Sequence, residues 1–220
     1  MTDSLNDLLN SEEWKAYKEK MIEKEKYLKN GPNVIHIEYL NSIFSKTDFD
    51  EYENKLIGVG LELSRFDKSC VMYACMDKFD LVTYISLAPP IIVELLKGTG
   101  SNVTWDVIKY LLISSWKKIR NKFYTRSTSQ ISERKEISFG LKVSLDRNTT
   151  FNMDLKGDLD EAVIQNSLDK VLDFLREQKA NDQYKHPDYV YFDSISEKWI
   201  RVDVESEIRE MIERGKMNRK

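Results

Sequence analysis

The chain has 220 residues, of which 41% are apolar and 32% charged, and its 34 Lys and Arg against 37 Asp and Glu leave a net charge of −3. Eleven Tyr, nine Phe and four Trp provide the bulk for a real core, which excludes wholesale disorder. Eight Gly and four Pro exclude collagen-like or mucin-like architectures, and the balanced charge is not that of a general nucleic-acid binder or an acidic tail protein.

The opening residues, MTDSLNDLLNSEEW, lack a basic region followed by an apolar stretch, so no secretory signal is expected. Asp3, Asp7, Glu12 and Glu13 do not suit a transit peptide either. Residues 1–30 read as a charged N-terminal helical arm, with Leu5, Leu8 and Leu9 suggesting a first turn or two. Ser11 is suited to cap a helix over 11–29, and Glu12 and Glu13 to its positive dipole end. Trp14, Tyr17, Met21 and Leu28 fall on a seven-residue grid that Lys24 interrupts. The remaining positions alternate in sign, as on a solvated helix. Asn30-Gly31-Pro32 ends it, because Gly accepts the left-handed cap and Pro forbids continuation. The Trp14 stripe either packs on its own domain or docks on a partner or a second copy.

Residues 34–220 read as one domain, with a candidate sub-boundary at 98–103. The stretch 34–40 fits a strand or a short helix, and 48–55 is acidic and helix-compatible. From Leu56 to Ser64, Ile57, Val59, Leu61 and Leu63 alternate with Gly58 and Gly60, which predicts a strand with open space beside the glycines. Val71–Met76 and Leu81–Leu87 are further strand candidates and complete a three-strand meander. Cys70 and Cys75 would point to opposite faces of such a strand, so two reduced thiols in a cytoplasmic protein are expected, not a disulfide. Leu81–Leu96 is the most apolar window, but at 16 residues it is shorter than the roughly 20 that a membrane span needs. Pro89-Pro90 and Glu94 interrupt it further, and a membrane location is not expected.

Pro89–Gly98 reads as a short helix with proline in its first turn and glycine past its end. Thr104 to about Lys122 is a second helix, with Ile108, Leu111, Leu112, Ser115 and Ile119 on one face. Ile137, Phe139, Leu141, Val143 and Leu145 alternate without a fault. Asp146-Arg147-Asn148 turns, and Phe151, Met153 and Leu155 return as a hairpin. Asp158, with Glu161 three residues on, predicts a capped helix reaching Lys179. A second hairpin spans Asp188–Asp193 and Lys198–Val204, and the chain closes with a helix over Glu205–Arg214 and a basic tail. Helices and strands come in blocks, which indicates α+β with a mostly antiparallel sheet and packed helices.

No assembled reactive centre is legible. His36 and His186 are the only histidines; His186 precedes Pro187 in a loop, and His36 sits in an apolar run as a satisfied side chain. The two Cys and two His lack zinc spacing, and the acids at 48–53 lack calcium-loop spacing, so no metal is expected. Gly98-Thr-Gly-Ser-Asn lacks the Gly-Lys-Ser/Thr of a phosphate loop, and no cofactor is expected. Asp154 and Asp158, with Lys156 between them, faintly suggest a metal-dependent nuclease, but the alternation makes Asp154 an outward, solvated position.

The distinctive chemistry is a basic run. Lys109, Lys117, Lys118, Arg120, Lys122, Arg126, Arg134 and Lys135 face only Glu133 in that stretch, with Trp116, Phe123 and Tyr124 interleaved and a Ser/Thr-rich loop over 125–132. Cations in the last helical turns also complement the dipole, which is the plain structural account. The functional expectation is a non-enzymatic, cytosolic interaction or regulatory protein. It would act through the arm (Trp14, Tyr17, Met21, Leu28) and the face carrying Lys117, Lys118, Arg120, Lys122, Phe123, Tyr124 and Arg126. A protein partner or self-association would be its target. A nucleic-acid or nucleotide binder using the 109–135 segment is the second reading, and an unrecognised hydrolase the third.

Overall fold

The computed structural model describes residues 11–40, 43–69, 81–98, 102–127, 132–146, 149–155, 159–180 and 188–217. Helix α1 (Glu12–Glu25) starts where Ser11 Oγ accepts the Trp14 N–H. Strand β1 (Val34–Tyr39) leads to α2 (Lys46–Ile57), whose start is fixed by a capping box. There Ser45 Oγ accepts the Asp48 N–H at 3.3 Å and the Asp48 carboxylate accepts the Ser45 N–H at 2.8 Å. Phe49, Tyr52 and Leu56 keep helical spacing and are buried. Gly58 caps the end and Gly60, at φ +75°, turns the chain into β2 (Glu62–Asp67).

The strand expected over 56–64 therefore begins only at Glu62. A strong cap and a 49/52/56 apolar stripe outweigh a four-residue alternation, and Ile57, which the alternation placed inside, is 67% exposed. The expected strand over 71–76 and both cysteines lie outside the described residues, as does His186.

Strand β3 (Thr83–Leu87) is followed by α3 (Pro89–Lys97), which has proline in its first turn and Gly98 at φ +70° past its end. Helix α4 (Asn102–Ile119) buries Trp105, Ile108, Leu111, Leu112, Trp116 and Ile119. The segment after it, expected as a loop, is in its described parts a separate hairpin, β4 (Phe123–Ser127) with β5 (Ser132–Glu136). Its polar alternation lacks the apolar face by which strands announce themselves. The hairpin β6 (Phe139–Ser144) and β7 (Thr150–Asp154) forms as expected.

The single helix expected up to Lys179 is two, α5 (Glu161–Asp169) and α6 (Val171–Ala180), with Asp160 at the first N-cap. The Trp199 indole N–H donates to the Ser167 carbonyl at 2.9 Å, taking the acceptor that a continuous helix would offer to residue 171. Strands β8 (Asp188–Asp193) and β9 (Lys198–Val202) and helix α7 (Val204–Met217) complete the chain.

The chain is thus mixed α+β, but its large sheet is not mostly antiparallel. Seven strands run in the order β2-β1-β3-β6-β7-β8-β9, and the pairings alternate parallel and antiparallel from one edge to the other. Parallel neighbours require a crossover, and the helices supply it: α2 between β1 and β2, α3 and α4 between β3 and β6, and α5 and α6 between β7 and β8. Among the described residues no helix is long and apolar enough to cross a membrane.

The two faces of this sheet differ completely. Ile35, Ile37, Leu63, Ile85, Leu87, Phe139, Leu141, Val143, Phe151, Met153, Val190 and Phe192 form one continuous core with the buried stripes of α2 to α6. The alternate residues on the same strands look the other way, and not one of them belongs to that core.

The end of α1 is fastened to the outer edge of β2. The Tyr27 carbonyl accepts the Arg65 N–H at 3.1 Å, the Lys29 N–H donates to Ser64 Oγ at 2.9 Å, and Lys24 Nζ donates to the Ser69 carbonyl. The Arg65 guanidinium lies 4.0 Å from the Tyr27 ring centroid. These contacts cover a strand edge that would otherwise present an open backbone.

Candidate functional site

The face turned away from the helices is polar. Strand pairing sets its side chains in two rows. His36 stands beside Ser86, Ser86 beside Lys142, Lys142 beside Asn152 and Asn152 beside Tyr189. In the second row Glu38 stands beside Tyr84, Tyr84 beside Gly140, Gly140 beside Asp154 and Asp154 beside Tyr191. Neighbours in a row are about 4.8 Å apart between strands, within reach of one small ligand.

One end of the face is tightly organised around Glu38. Lys68 Nζ lies 2.8 Å from Glu38 Oε2 and His36 Nε2 3.4 Å from Glu38 Oε1, and the Tyr84 hydroxyl also bonds the carboxylate. Burial alone would raise the carboxyl pKa, but the hydrogen bonds from His36, Lys68 and Tyr84 outweigh it and hold Glu38 at about 2. Lys68 is 8% exposed, and its ammonium also reaches the Val82 carbonyl at 3.3 Å and lies 4.7 Å from the Tyr84 ring centroid. On its far side the His36 ring is held by Ser64, with Nδ1 2.9 Å from Oγ.

Ser64, His36 and Glu38 have the order of a hydrolase relay, but Ser64 is fully buried and its oxygen already accepts the Lys29 N–H. No substrate carbonyl can approach it. The arrangement orients an imidazole and fixes its surroundings.

The other end is closed by Asp154 and Tyr189. The alternation made Asp154 outward and solvated; it is outward from the core but 5% exposed, because the Tyr189 hydroxyl donates to it. Burial and the neighbouring carboxylate both push the Tyr189 pKa up, so this phenol remains a donor.

Between the two ends lie Ser86, Lys142 and Asn152. Among the described residues none of these three side chains has a hydrogen-bond or ion-pair partner. Lys142 makes one contact, its ammonium 5.2 Å from the Tyr84 ring centroid. Ser86, though neither Lys142 nor Asn152, also lines an open cleft of about 340 Å³, with Leu28, Lys29, Gly31, Val34, His36 and Ser144 among its other walls. The strap after α1 forms one wall and the carboxyl ends of β3 and β6 the other. Among the described residues no three His, Cys, Asp or Glu gather as a metal set.

The residues singled out in the sequence lie elsewhere. Lys117 pairs with Glu161 at 2.7 Å, Lys118 with Asp48 at 2.9 Å, and Lys109 with Asp106 and Asp169 at 3.1 and 3.0 Å. Burial opposes ionisation of Asp48, but hydrogen bonds from Lys118 and Ser45 lower its pKa. Arg120 lies 5.0 Å from the Trp116 ring centroid and Arg134 4.4 Å from that of Phe123, which is exposed. Lys122 precedes β4, Tyr124 packs against the core, and Arg126 stands opposite Glu133 in the hairpin. On α1, Trp14 and Tyr17 stack at 5.3 Å and both are half-buried, as is Met21, while Leu28 contributes to the cleft. The basic segment and the arm therefore do not converge on the polar face, except through Leu28.

Comparison of the chain with protein-family models, curated proteins and solved structures gives no significant match.

Proposed function

We propose that this protein is a non-enzymatic binding protein whose working surface is the polar face of the seven-stranded sheet. The observation that carries the reading is the row Ser86, Lys142, Asn152: a hydroxyl, an ammonium and a carboxamide on three adjacent central strands, without polar partners among the described residues, between two ordered polar clusters. All three are half-buried, so water serves them and a ligand can take its place. Three adjacent donors without protein partners, one of them lining a cleft, are what a small polar ligand needs. Regulation by such a ligand fits the fastening of α1 to the same edge, since the strap 28–31 lines the cleft. The cytosol is the compartment in which we place this activity.

The test is a thermal-shift screen of the intact protein against fractionated polar metabolites. A ligand at 100 times its Kd adds about 2.7 kcal/mol, which raises Tm by several degrees. Ser86→Ala and Asn152→Ala should abolish the rise; a rise that survives in both variants would exclude this face.

A protein contact through the β4–β5 hairpin is the second reading, favoured by Phe123. It is 48% exposed and carries the Arg134 guanidinium on its ring. A partner or a second copy docking there would lose affinity on Phe123→Ser, and sedimentation velocity of the full chain measures self-association directly. Nucleic-acid contact through 109–135 draws less support, because Lys109, Lys117 and Lys118 are already held by carboxylates.

A further inference from the structure

We propose that the ligand of this face is a small phosphate monoester, with its phosphate taken by Lys142 together with Ser86 and Asn152. The inference rests on the polar-face reading and adds the chemistry of the occupant. Charge decides the sign. Around the cleft, Glu38 is neutralised by Lys68 and hydrogen-bonded by His36, and Lys29 is matched by Glu62 at 3.3 Å. Lys142 is without a carboxylate partner among the described residues, and Asp154, a carboxylate on the same face, is turned to the Tyr189 hydroxyl, so the cation of the row faces the cleft side.

The donors decide the group. An ammonium, a hydroxyl and a carboxamide can together direct several N–H and O–H donors at one point, and a phosphate presents three terminal oxygens to them. A carboxylate spreads a single charge over two oxygens in one plane, so it matches three donors converging from different strands less well than a tetrahedral, more highly charged phosphate. Lys142 rests over the Tyr84 ring, a contact weaker than a charge-assisted hydrogen bond, and its long side chain is free to leave the ring for an anion.

Size and walls decide the remainder. A space of about 340 Å³ lies at the lower end of small-molecule sites, which excludes a folded polymer and admits a sugar phosphate or a mononucleotide. Val34 and Leu28 give the cleft an apolar side against which a ring or ribose carbon skeleton can lie. The phosphate is common to both candidates, and the body it carries is what the experiment separates.

Isothermal titration of the full chain at low salt tests this with four probes: inorganic phosphate, ribose 5-phosphate, adenosine 5′-monophosphate and succinate. We expect at least one phosphate ester to bind in the micromolar range and inorganic phosphate to bind at least tenfold more weakly, because it lacks a body for the apolar wall. Tighter binding of ribose 5-phosphate identifies a sugar phosphate, and tighter binding of adenosine 5′-monophosphate a nucleotide. Lys142→Met should weaken the ester at least tenfold and Lys142→Arg should restore most of it. Ser86→Ala and Asn152→Ala should each weaken it several-fold. Urea midpoints equal to wild type in these variants establish that the fold is intact.

If succinate binds with the same sensitivity to Ser86→Ala and Asn152→Ala while the phosphates do not, the phosphate assignment is overturned and the polar-face reading stands. If phosphate esters bind equally well to the wild type and to all three loss variants, both are overturned.

Discussion

Replacing Glu38 by Gln tests whether the polar face is held together as its geometry implies. The Glu38 carboxyl titrates at 4.5 when unperturbed and at about 2 in the folded protein. A carboxyl with a depressed folded pKa contributes stability that is fully present above its unfolded pKa. The contribution is lost as pH falls through the folded value, since the unfolded chain binds the proton first. The shift corresponds to roughly 3 kcal/mol in total, of which about 2 kcal/mol should already be gone at pH 3. The group is 21% exposed, so solvent screening removes little of this. Glutamine keeps the shape and cannot titrate. Urea unfolding of both proteins from pH 6 to pH 3 should show a stability gap that favours wild type at pH 6 and narrows by about 2 kcal/mol toward pH 3. A gap that stays constant within about 0.5 kcal/mol over that range would mean that His36, Lys68 and Tyr84 do not hold the carboxylate as the distances indicate.

Two further substitutions probe the sheet beneath the site. A Cβ on Gly140 would stand 2.2 Å from the Met153 carbonyl oxygen and 2.8 Å from Leu81 Cδ1, and backbone cannot yield as a side chain can. Gly140→Ala should therefore cost about 3 kcal/mol or more, read as a lower urea midpoint, and an unchanged midpoint would refute the close approach of β6 to β7. Thr83 points its fully buried Oγ1 into the apolar side with no hydrogen-bond partner among the described residues. Thr83→Val, nearly the same volume, should stabilise the protein by about 1 kcal/mol, and a loss of stability on thermal unfolding would show that the hydroxyl is satisfied in solution.

What could be read in advance depended on whether the deciding interaction was local. The Pro89–Gly98 helix and the β6–β7 hairpin carry their own start and stop signals, and both formed. The break at Lys170 did not announce itself, because the Ser167 carbonyl there accepts Trp199, an indole from a strand far along the chain, together with the Lys170 N–H instead of the N–H of residue 171. The sheet order was hidden for the same reason. Alternation says which residues share a face of one strand, and nothing about which strand lies beside it. The blocks of helices and hairpins in the chain suggested antiparallel pairing, whereas the crossovers return the chain in the same direction three times.

The candidate site follows from that distinction. The alternation that placed Ile35 and Ile37, Ile85 and Leu87, Leu141 and Val143, Phe151 and Met153 in the core also placed His36 and Glu38, Tyr84 and Ser86, Lys142, Asn152 and Asp154 opposite them. Each strand alone then looks like an ordinary half-solvated strand, and each polar residue like a routine outward position. Only the lateral order β1-β3-β6-β7-β8 sets them side by side. The basic run was conspicuous because its residues are consecutive, and consecutive cations on one helix are the ones most readily matched by acids on the next, as Glu161 and Asp48 match Lys117 and Lys118. Lys142 drew no notice in the sequence because it stands alone among apolar neighbours. Its lateral neighbours on the sheet are Ser86 and Asn152, and Asp154 on the next strand is engaged by the Tyr189 hydroxyl, which is why we take the charge as available to a ligand.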